Sequence, residues 1–98
     1  IREIAPAQIF KASKMFYVYI LRSKKDKGLY TGCTTDLKKR VALHKLGKVP
    51  STQRRLPCEL IFYEAFTQRN DAFKREKWLK TGWGRNQVKK MLHNALKI

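Results

Sequence analysis

Negative charge is scarce in this chain. Asp plus Glu number 7 among 98 residues, against 23 Lys plus Arg, for a formal net charge of +16. A surface so poor in acids disfavours cationic partners and points to a polyanion, with nucleic acid ahead of an anionic membrane surface. Cysteine is equally sparse. Cys33 and Cys58 are too few for a disulfide scaffold and lack the paired close spacing of a zinc site. Free thiols in a reducing compartment, the cytoplasm, are the expectation. No run of about 18 apolar residues occurs, which removes a transmembrane helix. Ile1–Lys14 carries charge too early, and its apolar stretch is too short, for a secretory signal. Internal repeats and low-complexity tracts are absent as well.

What is present argues for one folded domain. The mass is 11.6 kDa, and 43% of residues are hydrophobic. A domain of this size buries only about 60–65% of the surface its unfolded chain exposes, so most apolar residues must serve the core. Two Trp, four Tyr and five Phe are more rings than a disordered basic tail carries. Met15 stands directly before the first strong strand signal. Residues 1–14 therefore read as an N-terminal extension, flexible or not native, and 15–98 as the domain.

The run Phe16-Tyr-Val-Tyr-Ile-Leu21 is β-branched and aromatic, hence a strand. Turn residues Lys24 to Gly28 lead to a second strand, Leu29 to Cys33, and the two should form a hairpin. Thr35 and Asp36 offer a helix cap, and the helix should end near Leu46 with Gly47 just beyond. A loop from Lys48 to Pro57 precedes a third strand, Glu59 to Phe66. Asn70 is expected to cap a second helix running to about Lys80. Gly82-Trp83-Gly84 reads as a break before a third helix, Arg85 to Leu96, with Val88, Met91, Leu92 and Ala95 as its apolar stripe. The expected class is α+β: a small three-stranded antiparallel sheet flanked by helices, in the order β-β-α-β-α-α.

Polar residues break this pattern at defined places. Leu37, Arg40, Val41 and His44 share one helical face, so an arginine and a histidine lie on the stripe meant for burial. Pattern alone also admits a solvated stripe edge with Arg40 snorkelling. In the second helix, Glu76 sits among Ala72, Phe73 and Leu79; an i,i+4 pair with Lys80 is the plain alternative. In the hairpin, a register pairing 19 with 32 and 21 with 30 puts Tyr19 and Tyr30 on one face, and a one-residue slip separates them. Tyrosines in strands are commonly half-buried packing groups. Gly32 inside a strand signals a bulge or a close backbone approach.

Taken in order, these residues resemble the GIY-YIG nuclease domain, in its small stand-alone bacterial form. Tyr17-Val18-Tyr19 is similar to the first family motif and Tyr30-Thr31-Gly32 to the second. Arg40 follows ten residues after the second tyrosine, His44 four later, and Ala72 to Glu76 is similar to the family's glutamate context. Arg55-Leu-Pro57 and Glu76 to Arg85 also resemble the small bacterial members. Tyr17 stands where the family has glycine and Thr31 where it has isoleucine; neither change removes a reacting group. The resemblance covers about Met15 to Leu96.

The resemblance implies a three-stranded antiparallel sheet with flanking helices and hydrolysis of a phosphodiester bond with one divalent metal, Mg2+ or Mn2+. It implies that Glu76 binds the metal and that Arg40 holds the scissile phosphate. Tyr19, with Tyr30 nearby, would take a proton from the attacking water, and His44 would assist or position Tyr19. A lone carboxylate suits magnesium, which keeps waters and takes phosphate oxygens. Arginine's planar fork matches phosphate bidentately.

Lys45, Lys48, Arg54, Arg55, Lys77, Lys80 and Arg85 are the expected phosphate contacts, non-specific in sequence and sensitive to salt. Trp78 and Trp83 are candidates for stacking on unpaired bases, although core packing is the expectation for Trp83 between its two glycines. The substrate expectation is nucleic acid, DNA ahead of RNA, with a partner protein or homodimer supplying any selectivity. The alternative is a nucleic-acid binding module that keeps the fold without catalysis. A basic structural protein explains the charge but not the stripe-breaking Arg40 and Glu76.

Overall fold

The computed structural model describes residues 14–97. All but Lys14 of the expected extension over 1–14 lies outside the described residues. The elements are β1 (Phe16–Ser23), β2 (Leu29–Thr34), α1 (Leu37–Lys45), β3 (Cys58–Phe66), α2 (Arg69–Leu79), α3 (Gly82–Met91) and α4 (His93–Leu96). Three strands form one antiparallel sheet in the order β2-β1-β3, as the α+β expectation requires. Both β2 and β3 are edges.

The hairpin register pairs Tyr19 with Gly32 and Leu21 with Tyr30. Directly paired residues share a face, so Tyr19, Tyr30 and Gly32 lie together. Ser23 closes the turn. Its hydroxyl accepts from the backbone N–H groups of Lys25 and Asp26, each at 3.1 Å, and donates to the Arg55 carbonyl at 2.6 Å. The hairpin is thereby tied to the loop after α1. On the β3 side a bulge interrupts the ladder: Ile20 faces Phe62 and Leu21 faces Leu60, leaving Ile61 over.

Strand alternation divides the core in two. Val18 and Ile20 point to one face and pack with Ala72, Leu79 and Val88 of α2 and α3. Ile20 is fully buried, and truncating such a side chain to alanine costs about 2–5 kcal/mol. Tyr19 and Leu21 point to the other face, with Cys58, Tyr30, Leu37, Leu56 and Leu60. Helix α1 therefore covers one side of the sheet and α2–α3 the other. Asp36 caps α1 by accepting from the Lys39 N–H at 3.1 Å, and Gly47, at φ +73°, follows its end.

Four expectations are corrected. Gly82-Trp83-Gly84 is not a break but the first turn of α3. The break is at Thr81, whose hydroxyl accepts from the Gly84 N–H at 3.1 Å. A Cβ on Gly84 would collide with the Trp78 carbonyl oxygen, so this glycine lets the first turn of α3 press on the end of α2. With position 84 facing in, position 83 is turned out, and Trp83 is 81% exposed, not packed in the core. The single helix expected over Arg85–Leu96 is divided at Leu92 into α3 and α4. Val88 is buried and Leu92 packs on the core, but Met91 and Ala95 are exposed because the stripe loses its phase there. Finally, α2 starts at Arg69 and Asn70 is not its cap; Gln68 holds that place without a side-chain bond.

Candidate active site

Four of the five expected catalytic residues meet on the α1 face of the sheet. Tyr19 is held by β1, Tyr30 by the edge strand β2, and Arg40 and His44 by successive turns of α1. The Tyr19 hydroxyl and His44 Nε2 are 2.8 Å apart, and both residues are completely buried. The ring centroids are 6.2 Å apart for Tyr19–Tyr30, 5.6 Å for Tyr19–His44 and 5.2 Å for Tyr30–His44. The half-buried Arg40 guanidinium lies beside the phenols of Tyr19 and Tyr30, and this proximity, to Tyr19 above all, raises its pKa.

Gly32 makes this geometry possible. It sits under the Tyr19 ring, where a Cβ would come within 2.5 Å of the hydroxyl oxygen and 2.6 Å of Cζ. The glycine predicted from its place inside a strand is required because the phenol lies across the backbone of β2.

Electrostatics keep both buried partners neutral. Burial pushes the Tyr19 hydroxyl up to about 12, with Arg40 partly offsetting it. Burial, and then the Arg40 charge, lowers the His44 pKa. At neutral pH the site therefore presents an uncharged imidazole, an uncharged phenol and a fixed guanidinium.

Glu76 approaches from the other side. It lies on α2, one turn before the helix end, with its side chain 23% exposed and Oε2 3.2 Å from Lys80 Nζ. The i,i+4 pair weighed from the sequence is thus formed. Glu76 also lies near Cys33, whose thiol pKa is raised first by burial and second by the Glu76 charge. Cys33 and Gly32 are neighbours in β2: the Cys33 side chain points to the α2–α3 face, while Gly32 leaves room for the Tyr19 ring on the other. Arg40 and Glu76 therefore face the sheet from opposite sides, with the edge strand β2 between their two neighbourhoods.

The expected phosphate contacts fall on separate surfaces. Arg55, Lys80 and Arg85 line one groove of about 600 Å³ along β2, together with Lys27, Lys89 and Tyr30. Lys45 lines a different groove between α1 and β3, and Lys77 a third beside Glu76. Lys48 and Arg54 are exposed in the loop after α1. Two of the cations are already paired: Arg55 donates to Asp26 at 2.9 Å and Lys80 to Glu76. Lys89 is a cation expected from the sequence to meet phosphate; Lys27 and, within the cluster, Thr52 are not foreseen there. Thr52 is fully buried with its hydroxyl 2.7 Å from His44 Nδ1. A threonine eight residues beyond a histidine gives no periodic signal, and only the fold of the intervening loop joins them.

Among the described residues no group of three or more His, Cys, Asp or Glu side chains could enclose a metal. A single carboxylate at a rim fits a hard ion that shares its coordination with water and phosphate, provided the Lys80 ammonium moves aside.

Comparison with known proteins gives a family. The model of the GIY-YIG catalytic domain matches residues 15–89. A UPF0213 protein of Streptococcus pyogenes serotype M5 (strain Manfredo) is 45% identical over 76 residues, covering 76% of this chain and 82% of the relative. UPF0213 proteins of serotype M2 (strain MGAS10270) and serotype M28 (strain MGAS6180) match to the same extent. No solved structure matches the chain.

Proposed function

The chain belongs to the GIY-YIG catalytic-domain family, a family of nucleases, and from that premise we propose that it is a metal-dependent endonuclease. It would hydrolyse phosphodiester bonds in nucleic acid, DNA ahead of RNA. The observation that carries this reading is the buried Tyr19–His44 pair with Tyr30 and Arg40 against it. A core that served only packing gains nothing by burying a hydrogen-bonded phenol and imidazole beside a guanidinium.

In this reading Arg40 holds the scissile phosphate through its planar fork and offsets the charge that grows on the oxygens. Tyr19 receives the proton of the attacking water, with Tyr30 adjoining. Tyrosine is a poor base at its usual pKa of about 10. Tyr19 is neutral at rest, so it can take that proton only while passing its own on, by way of the neighbouring Tyr30 oxygen, to the leaving oxygen, which needs one. Glu76 is the residue that would hold a Mg2+ or Mn2+ ion. When bound, that ion would supply Lewis-acid polarisation of the phosphate. The cationic groove along β2 would hold the flanking strand without reading bases.

The Glu76–Lys80 pair favours a second reading, a binding module in which an ammonium replaces the metal. One experiment separates them. The protein is incubated with single-stranded, double-stranded and branched DNA and with RNA, with magnesium or manganese. Glu76→Ala and Arg40→Ala, verified as folded, run alongside. Cleavage by the parent and not by the variants supports the enzyme. Equal cleavage by all three marks a contaminant, and binding without cleavage supports the module.

A further inference from the structure

Tyr19, His44 and Thr52 form a chain of three polar side chains, each at 0% exposure. Its links are 2.8 Å from the Tyr19 hydroxyl to His44 Nε2 and 2.7 Å from His44 Nδ1 to Thr52 Oγ1. Which way the hydrogens run decides what His44 can do for Tyr19. If Nδ1 carries the proton, Nε2 accepts from the phenol. If Nε2 carries it, the imidazole donates to the phenol oxygen.

Thr52 decides between them. Its hydroxyl has one hydrogen and, among the described residues, two acceptors in reach: His44 Nδ1 at 2.7 Å and the Val49 carbonyl at 3.5 Å. The longer contact lies beyond the ordinary O–H···O range. The Val49 carbonyl is moreover already taken by the backbone N–H groups of Thr52 and Gln53, at 3.1 and 3.0 Å. A proton on Nδ1 would leave the Thr52 hydrogen without a good acceptor in a site sealed from water, which is the expensive arrangement.

We propose that Thr52 is a positioning residue that donates to His44 Nδ1, fixes the imidazole in its Nε2–H tautomer, and so makes His44 a donor to the Tyr19 oxygen. This rests on the endonuclease reading for its consequence, though not for its geometry. The titratable or charged groups facing the imidazole are Tyr19 from β1, Tyr30 from β2 and Arg40 one turn back on α1. Neutral His44 then points its one N–H at the Tyr19 oxygen, with the Arg40 charge beside it. The Tyr19 hydrogen is then left for the neighbouring Tyr30 oxygen, which keeps the phenol protonated at rest. His44 does not serve as the acceptor of that proton.

Two measurements test this. Nitrogen-resolved NMR of the full-length, uniformly 15N-labelled protein near neutral pH reports which ring nitrogen of His44 is protonated. His93, exposed on α4, is assigned through His93→Gln. A protonated Nε2 and bare Nδ1 are expected; the reverse overturns the proposal. Thr52→Val and Thr52→Ser are then compared in cleavage. The valine variant should lose about 10-fold or more in kcat, the size of effect that outer partners of reacting groups show. KM should stay unchanged, and serine should restore the rate to within a few fold. Wild-type kcat in Thr52→Val overturns the role. Absence of cleavage in the parent would overturn the endonuclease reading instead, while the ring-nitrogen result still decides the tautomer.

Discussion

Replacing Gly32 with alanine adds one methyl group at the most constrained point of the cluster. The new carbon would lie 2.5 Å from the Tyr19 hydroxyl oxygen, 2.6 Å from Cζ and 3.0 Å from Cε1. The ring cannot yield at its tip alone. It is buried, its hydroxyl is bonded to His44, and its backbone is laddered to neighbours on both sides. Overpacking of this kind costs about 1–3 kcal/mol, and displacing the phenol forfeits a buried hydrogen bond of about 1 kcal/mol. The expected loss is about 2–4 kcal/mol, or on the order of 10–30 °C in Tm for a domain of this size. Gly82→Ala is the matched control. Nothing lies within 4 Å of its added methyl, and its φ is not positive, so it should stabilise by about 0.4–1 kcal/mol. Thermal denaturation of the three proteins, with nuclease assays alongside, reads both effects. Gly32→Ala with the parent's Tm and cleavage rate would refute the claim that the phenol is held against β2.

Three further outcomes follow from the same geometry. Tyr19 has a folded pKa of about 12 against 10 for the free side chain. Its stabilisation is therefore complete below pH 10 and lost as pH rises toward 12; an ultraviolet titration should show one late phenol, absent in Tyr19→Phe. His44 has a folded pKa lowered from 6.5, so its contribution is complete above about pH 6.5 and fades as pH falls through the lower folded value. Urea midpoints from pH 7 to 4 should decline less steeply in His44→Gln. Trp83→Ala removes a ring that is 81% exposed and should alter stability by no more than about 0.5 kcal/mol; a loss above 2 kcal/mol would show that the ring is packed after all.

Much of the architecture is legible in the sequence because its signals are local. The aromatic run of β1, the turn residues at Lys24–Gly28 and the cap at Asp36 each specify their element without help from the rest of the chain. The buried stripe of α1 is legible too, since His44 falls on it at helical spacing and is buried as the pattern requires. Misreadings arise where a distant contact sets the rule. Gly82 and Gly84 have the poor helix propensity of a break, yet Gly84 is demanded by the carbonyl of Trp78 across a helix junction. Trp83 looks like core by composition, and only the phase set by Gly84 turns it outward. The bulge at Ile61 has no sequence marker, because it is resolved by the pairing of β3 with β1. Thr52 is invisible for the same reason: its partner is chosen by how a loop closes over α1.

The open flank of β2 has a topological consequence. Phenols on one surface of the sheet and a carboxylate on the other are divided by a single strand's width, at a border beyond which the described residues place no further strand. A polymer straddling such a border can settle at any point along its contour, whereas a tunnel demands that an end be threaded first. Were that polymer cut there, both fragments could lift away sideways without sliding past a wall.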